Sequence, residues 1–204
     1  MEMSLEAKKK GNGDMSGTFK SAPAGQYRAW CYSWNDLGTQ QTAYGPKRQV
    51  RLGFELADLL MEDGKPYIQT TFPMTRDLAN EEAKLHKFVD VWFDNEAFTG
   101  KKSFDIEQLF VTPCDLYLKE VTGKNGKTYV NIDKITRCKN TEGMPARVNP
   151  VTFFDFDEFD QGLFDSFHDD KKTRLMATPE YQELFNKAPE VPEGETSVPA
   201  PDYF

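Results

Sequence analysis

The sequence predicts a mainly β protein with added helices. Three observations indicate this class: several short runs alternate apolar and polar residues, one run has the period of a helix, and turn residues separate the runs. The chain has 204 residues, of which 38% are apolar, which is enough for one domain of ordinary size. Aromatic residues make up 13% of the chain, and we expect those that do not fit into one core to lie on a binding surface.

Three strands are predicted in the first part of the chain. Residues 26–34 are aromatic and β-prone and form the first strand, whereas the polar residues 39–46, with their Gly-Pro pair, are predicted to be a loop. Residues 50–56 alternate between apolar and other side chains, which predicts a half-buried second strand. Asp63-Gly64 indicates a tight turn before a third strand at residues 66–72.

A helix and a second hairpin follow. In residues 77–93 the apolar side chains recur at helical spacing. Residues 114–118 and 130–135 alternate again, and Asn125-Gly126 between them is a strong hairpin signal. The order β-β-β-α-β-β is the connectivity of an OB-fold, a small Greek-key barrel, so we predict a five-stranded OB-fold barrel.

Four regions are predicted along the chain: a flexible N-terminal arm at residues 1–24, the OB-fold core at 25–139, a C-terminal helical extension packing on the core at 140–186, and a disordered acidic tail at 187–204. The extension contains two predicted short helices, at residues 160–168 and 172–186. No apolar run approaches the ~18–20 residues of a membrane-spanning helix, and the polar start lacks the apolar segment of a secretory signal.

The net charge of −8 at first argues against a polyanionic ligand such as a nucleic acid. The charge is unevenly distributed, however, because residues 1–139 contain 20 basic and 19 acidic side chains, whereas residues 140–204 contain 5 and 14. This asymmetry predicts a binding body with an acidic tail.

Two sequence motifs resemble phosphate or cation sites but do not fit them. Gly126-Lys127-Thr128 would need a glycine in place of Val121, and a helix after it, to form a phosphate loop. The acidic run at residues 155–160 would need an oxygen ligand and then a glycine where Phe159 and Asp160 stand to form an EF-hand loop. The run is more typical of carboxylates at a helix N-terminus.

No catalytic centre, cofactor or metal site is predicted. Cys31, Cys114 and Cys138 are far apart and form no C-x-x-C pair, so we expect buried thiols rather than a disulfide or a zinc site. His86 and His168 have no metal-binding spacing, and no Ser or Cys stands in a nucleophile motif. We therefore expect a protein that is not an enzyme.

The predicted strands carry the components of a single-stranded nucleic-acid surface, which combines a basic groove with aromatic side chains on which bases stack. The candidate contact residues are Arg28, Trp30, Tyr32, Trp34, Tyr44, Lys47, Arg48, Arg51, Tyr67, Tyr117, Lys119, Lys124, Lys127 and Tyr129. Because Ala29, Cys31 and Ser33 are small, the opposite interpretation, in which Trp30, Tyr32 and Trp34 face the core, stays open.

Short motifs are distributed over three-quarters of the chain, from Gly25 to about Tyr181. They are Asp36-Leu37-Gly38-Thr39, Tyr44-Gly45-Pro46-Lys47-Arg48-Gln49-Val50, Phe54-Glu55-Leu56, Asp63-Gly64-Lys65-Pro66, Asn125-Gly126-Lys127-Thr128-Tyr129, and Asn149-Pro150 followed by Phe154-Asp155. In combination they resemble a family of bacteriophage OB-fold single-stranded DNA-binding proteins. The resemblance implies sequence-independent binding of single-stranded DNA in phage DNA replication or recombination, in the host cytoplasm and without catalysis.

The C-terminus, Asp202-Tyr203-Phe204, is similar to the acidic tail of such proteins, which ends in an aromatic residue with a free carboxylate. The similarity implies that these three residues bind replication or recombination proteins. The alternative at this point is an OB-like protein-interaction module, a DNA mimic or host-factor binder without DNA affinity. A metal-dependent nuclease that uses the acids of residues 155–160 is a third class.

Overall fold

The computed structural model of the chain describes residues 21–100, 103–124 and 126–185. The predicted tail lies outside these residues, and so does the predicted N-terminal arm up to residue 20. The described end of the arm packs on the sheet, because Ala22 is buried in the core and the Pro23 carbonyl accepts a hydrogen bond from the Tyr27 hydroxyl.

One sheet dominates the described residues. Its strands are β1 (Gly25–Thr42), β2 (Gly45–Leu60), β3 (Pro66–Thr70), β4 (Met74–Thr75), β5 (Cys114–Thr122), β6 (Thr128–Arg137) and β7 (Thr152–Phe154). The order along the sheet is β3-β2-β1-β5-β6, with β4 attached to β2 and β7 attached to β1. All pairs are antiparallel except β1 with β7. The mainly β class is confirmed, in the form of an open, largely antiparallel sheet.

The hairpin of β1 and β2 is longer than predicted. The predicted loop at residues 39–46 is wrong, because β1 continues to Thr42 and only Ala43 and Tyr44 form the turn. The segment from Asn35 to Gly38, which follows the predicted first strand at residues 26–34, contains a bulge within β1: Gly38 has a φ of 65°, and its N–H donates to Asp36 Oδ1. Glycine allows this left-handed backbone, so the strand bends and continues.

The core lies between the inner face of the sheet and α1 (Lys84–Trp92). The predicted inward side chains of β2 are completely buried, and the Phe54 ring lies 5.6 Å from that of Trp92. The helix is shorter than the predicted 77–93, because the Asp77 carboxylate accepts hydrogen bonds from backbone N–H groups two and three residues ahead. Such side-chain bonds compete with helical ones, so the chain turns before α1 begins.

A second, aromatic core lies in the C-terminal extension. Its buried members are Phe154, Phe156, Phe164 and Leu175, and Phe159, Leu163, Phe167 and Tyr181 pack around them. The short α2 (Gln108–Val111) lies before β5, and the extension forms α3 (Gln161–Asp165), α4 (Asp169–Met176) and α5 (Pro179–Phe185), where two helices were predicted. Many of the aromatic residues expected on a surface are therefore buried here.

Within the described residues, no helix is both long and apolar enough to cross a membrane.

Candidate nucleic-acid interface

Trp34 lies in the core and not on a binding surface. Its side chain is completely buried, and its Nε1–H donates to Asp155 Oδ2 at 3.2 Å. The cause is a bulge at Tyr32: the pairing with β2 shifts between Cys31 and Ser33, so the inward alternation moves by one residue. Trp34 therefore faces the same side as Cys31, and Trp30 faces the other.

A segment that we call the strap, residues 140–149, crosses the sheet at Trp30 and Glu55. The Trp30 Nε1–H donates to the Pro145 carbonyl at 2.9 Å. Glu55, which lies opposite Trp30 on β2, is 1% exposed and accepts two backbone N–H bonds from the strap, at 2.6 and 2.7 Å. Burial raises the pKa of Tyr32. Trp30 is thus held by the strap, and both predicted stacking residues are partly buried by the protein itself.

Two predicted DNA-contacting arginines have carboxylate partners. Arg28 pairs with Asp58 at 2.6 Å and donates to two strap carbonyls, at 2.8 and 3.3 Å. Arg48 belongs to a group that we call the charge cluster: Asp36, Arg48, Arg76, Asp155 and Asp157. Both side chains hold the fold together, so we remove them from the candidate interface.

The charge cluster joins the C-terminal extension to β1 and β2. Arg48 contacts Asp155 at 3.0 Å and Asp157 at 2.7 Å, and Arg76 contacts the same two carboxylates at 2.8 and 2.9 Å. Burial raises the pKa of Asp36 against the opposing effect of Arg48, whereas the hydrogen bond from Arg48 lowers the pKa of Asp157. The acidic run at residues 155–160, interpreted from the sequence as carboxylates at a helix N-terminus, therefore forms structural ion pairs and caps a helix, with Asp160 accepting from the Leu163 N–H.

Three of the remaining predicted residues lie on or beside β2 and β3. Tyr67 is half-buried and packs against the core rather than lying on the outer face. Tyr44 is 91% exposed at the turn between β1 and β2, and Lys47 is exposed near it.

The β5–β6 hairpin carries five predicted contact residues: Tyr117, Lys119, Lys124, Lys127 and Tyr129. Tyr117 and Lys119 alternate onto the same face of β5, and Lys134 of β6 lies with its Nζ 5.4 Å from the centre of the Tyr117 ring. The hairpin therefore carries aromatic and basic side chains on one face, and their contact with DNA stays a prediction.

The most informative feature is a bulge after β3 that the sequence did not reveal. Gly53 pairs with Thr70 and Val50 pairs with Met74. Two residues of β2 therefore lie opposite three residues, 71–73, of the segment between β3 and β4. The Thr71 N–H donates to the Leu52 carbonyl at 2.9 Å, and the Thr71 hydroxyl accepts from the Leu52 N–H at 3.0 Å. Thr71 is thereby fixed inward, and the extra residue leaves Phe72 projecting with 58% of its surface exposed.

A groove of about 310 Å³ begins at Phe72 and runs between residues 71–74, α1 and β6; we call it the α1 groove. Its lining is Thr71, Phe72, Met74, Lys84, Lys87, Phe88, Val91, Ile132, Asp133, Lys134 and Ile135. The Lys84 Nζ lies 5.9 Å from the centre of the Phe72 ring. The groove therefore combines an apolar floor, a projecting aromatic ring and three lysines against one aspartate.

A bulge in β6 gives this groove its shape. Tyr117 pairs with Lys134 but Leu118 pairs with Ile132, so Asp133 is an extra residue. The bulge lets both Ile132 and Ile135 pack against the core, as predicted, while Lys134 turns toward Tyr117. The α1 groove and the β5–β6 hairpin face thus share Lys134.

Arg51 lies on the other side of residues 72–73. It is exposed and, with Pro73, lines a second groove, which lies against α4 and which we call the α4 groove. Of the residues predicted from β2, Lys47 and Arg51 are exposed, and Arg51 is the nearer of the two to the bulge after β3 along β2.

The residues missed from the sequence share one property, which is that their exposure depends on tertiary packing. They are Phe72, Lys84, Lys87, Lys134, Lys171 and Arg174. The lysines of the helix were visible as its polar face, but nothing in the sequence shows that a groove runs beside them. Lys171 and Arg174 stand in the acidic third, where the average charge conceals them.

The acidic charge is less confined to the tail than the sequence suggests. Residues 140–185 contain ten acidic and four basic side chains, so about two-thirds of the charge of residues 140–204 belongs to the packed extension. Asp155 and Asp157 are neutralised by the arginines of the charge cluster. Asp202, Tyr203 and Phe204 lie outside the described residues, and their role in partner binding stays a prediction.

The three thiols are buried, as predicted, and burial raises the pKa of Cys31 to about 12. Among the described residues, no group of three or more His, Cys, Asp or Glu side chains is placed to hold a metal ion.

No family model, curated protein or solved structure matches the chain.

Proposed function

We propose that the chain binds single-stranded DNA without sequence preference, with a base stacked on Phe72 and the sugar-phosphate backbone beside the lysines of the α1 groove. The observation that carries this proposal is the bulge at residues 71–73, which holds Phe72 outward at the mouth of a basic groove. Bulges commonly redirect side chains beside functional sites.

The exposure of Phe72 has an energetic cost. Full burial of a Phe side chain is worth about 1.5–3 kcal/mol, and Phe72 gives up more than half of it in the free protein. A nucleobase offers a flat apolar face that would cover the ring, and stacking of this kind contributes about 1–3 kcal/mol per base. Lys84, close to the same ring, is placed to meet a phosphate of the stacked nucleotide.

We further propose that the open sheet is an OB-fold. Supporting this are the strand order β3-β2-β1-β5-β6, the position of α1 between β3 and β5, and a hydrogen bond from Gln69 Nε2 on β3 to the Val130 carbonyl on β6, which joins the two ends of the sheet. OB-folds bind oligonucleotides on the face of their second and third strands and on adjacent loops. Arg51 on β2 and the bulge after β3 occupy the corresponding face.

The setting, phage DNA replication or recombination in the host cytoplasm with partner recruitment through the C-terminal tail, rests on the sequence resemblance alone. A catalytic role has no support in the described residues, where Asp155 and Asp157 contact arginines and Asp160 caps a helix. We propose a binding protein and not an enzyme.

A protein-interaction module is the second candidate, and the apolar floor of the α1 groove favours it. Phe88, Val91 and Ile132 could receive an apolar side chain of another protein as readily as a base. Salt dependence separates the two, because DNA binding releases counterions and weakens steeply with salt, whereas apolar docking does not.

The test is a fluorescence anisotropy titration with a labelled dT oligomer at low and high salt. We expect binding that weakens with salt, and a loss of about 1–3 kcal/mol in Phe72→Ala. Val111→Ala is the control, because Val111 is also exposed, at 65%, but lies outside both grooves. Absence of binding by the wild-type chain at low salt, or equal affinities for Phe72→Ala and wild type, contradicts the proposal.

A further inference from the structure

The α4 groove concentrates positive charge that the fold does not neutralise. It has a volume of about 560 Å³ and lies between the β1–β2 hairpin and α4. Its charged and titratable lining residues are Arg51, His168, Asp170, Lys171 and Arg174. Three permanent or near-permanent cations therefore face one carboxylate, with a histidine beside it.

The partners of these cations differ from those of the charge cluster. Lys171 donates to Asn35 Oδ1 at 2.6 Å, which is a neutral acceptor, and its Nζ lies 3.2 Å from the centre of the Phe167 ring. Within the part of the chain that the structure describes, neither Arg51 nor Arg174 forms an ion pair with a carboxylate. Asp170, the acid of the groove, lies 4.0 Å from His168 Nδ1.

The position of Lys171 is electrostatically unfavourable without an anion. Burial, assisted by the nearby Arg51, lowers its pKa to about 8. Apart from Asp170, the residues that line the groove with it are neutral or can carry positive charge: the polar ones are Asn35 and Gln40 from β1 and Gln49 from β2, and the basic ones are Arg51 from β2, Arg174 from α4 and His168. An anion that enters this groove would favour the charged form of Lys171, raise its pKa, and meet two guanidinium groups that are available for bidentate hydrogen bonds.

We propose that the α4 groove is a binding site for a phosphate group, held by Lys171, Arg51 and Arg174. A phosphate matches the site because its oxygens accept several hydrogen bonds at once and because guanidinium groups bind phosphate in a bidentate manner. The site does not depend on the proposed stacking at Phe72, since its residues come from β2 and α4. The phosphate can belong to a DNA strand or to a free nucleotide, and the experiment distinguishes these sources.

The first measurement uses inorganic phosphate. Wild-type protein is titrated with sodium phosphate and, separately, with sodium chloride at equal ionic strength, and the side-chain NMR signals of Lys171, Arg51 and Arg174 are followed. We expect saturable shifts with phosphate alone and a rise in the pKa of Lys171. Arg174→Gln, an exposed position, should weaken phosphate binding at least about tenfold.

The control variant is Lys172→Gln. Lys172 follows Lys171 in α4, but its Nζ pairs with Asp169 at 3.0 Å and its side chain does not line the groove. It changes the net charge by the same amount as Arg174→Gln, so an unchanged affinity in Lys172→Gln shows that the site, and not the overall charge, binds phosphate. Shifts that sodium chloride reproduces, or equal affinities in Arg174→Gln and wild type, overturn the proposal.

The second measurement identifies the source of the phosphate. Thymidine 5′-monophosphate, a dT oligomer with a 5′-phosphate and the same oligomer with a 5′-hydroxyl are compared in wild type and in Arg174→Gln. Arg174-dependent binding of either oligomer assigns the site to a DNA strand, and binding of the mononucleotide alone assigns it to a free nucleotide. Phosphate binding without any oligomer binding refutes the proposed DNA-binding function and leaves the phosphate site supported. Oligomer binding without phosphate-induced shifts refutes the phosphate site and leaves the DNA-binding function supported.

Discussion

The two sides of the β1–β2 hairpin use the same kinds of side chain in opposite ways. On one side, Arg48 and Arg76 are enclosed by three carboxylates of the charge cluster, and Trp34 is buried beside them. On the other side, Arg51 faces a groove and Phe72 projects into solvent. The difference teaches that a basic or aromatic residue indicates a ligand only when the fold leaves it unsatisfied.

The largest expected effect distinguishes Trp34 from Phe72. Trp34→Ala removes a completely buried indole and should reduce the free energy of unfolding by about 3–5 kcal/mol, measured by urea denaturation. Phe72→Ala should change it by only about 1 kcal/mol, because more than half of the Phe72 side chain is already exposed. A Trp34→Ala protein of wild-type stability that has lost DNA affinity would show that Trp34, and not Phe72, is the stacking residue.

The charge cluster should also respond to the loss of a single carboxylate. Asp155→Asn leaves Arg48 and Arg76 with less negative charge in a buried setting, and we expect a loss of roughly 3 kcal/mol in the free energy of unfolding. Asp133→Asn, an exposed acid of the α1 groove, is the matched control and should leave stability unchanged. Equal stability of the two variants would mean that the cluster does not attach the extension to the sheet.

These contrasts also show which parts of the molecule can be predicted from sequence. The alternation of residues 50–56 and the pairing of β5 with β6 as a hairpin were predictable, because strand period and turn chemistry are local properties. The length of β1 was not, because the bulge near Gly38 depends on pairing with β2.

The interface was harder to predict for the same reason. A bulge at Tyr32 decides which face Trp34 occupies, and a bulge after Thr70 decides that Phe72 projects. Neither bulge has a local sequence signal, since each arises from the register between two strands. Lys171 was hidden in a segment whose average charge is strongly negative, although it lies in a groove with Arg51.

Lys171, which lines the α4 groove, should make the free energy of unfolding depend on pH. Its folded pKa of about 8 lies below the ordinary 10.5, so between these values the unfolded chain binds more protons than the folded one, and stability should rise with pH. Lys171→Gln should remove this contribution, and Lys172→Gln should keep it. Parallel stability-pH curves for wild type and Lys171→Gln between pH 8 and 10.5 would contradict the lowered pKa.

The smallest expected effect concerns single lysines of the α1 groove. Lys84→Gln should reduce the slope of log affinity for dT against log salt by about 0.7, the value for one phosphate contact on a single strand. Lys65→Gln is the control, because Lys65 is exposed at the β2–β3 turn, beside Asp63 and outside both grooves. A reduced slope in Lys65→Gln as large as that in Lys84→Gln would indicate general charge attraction rather than a groove.

Chemical-shift mapping of isotope-labelled protein with a short dT oligomer tests the central claim most directly, because it observes both sides of the hairpin in one experiment. We predict shifts concentrated at residues 71–74, α1, β6 and Arg51, with the side chains of the charge cluster unchanged. Shifts centred on Arg48 and Asp155, or a surface without shifts at saturating oligomer, would contradict the account.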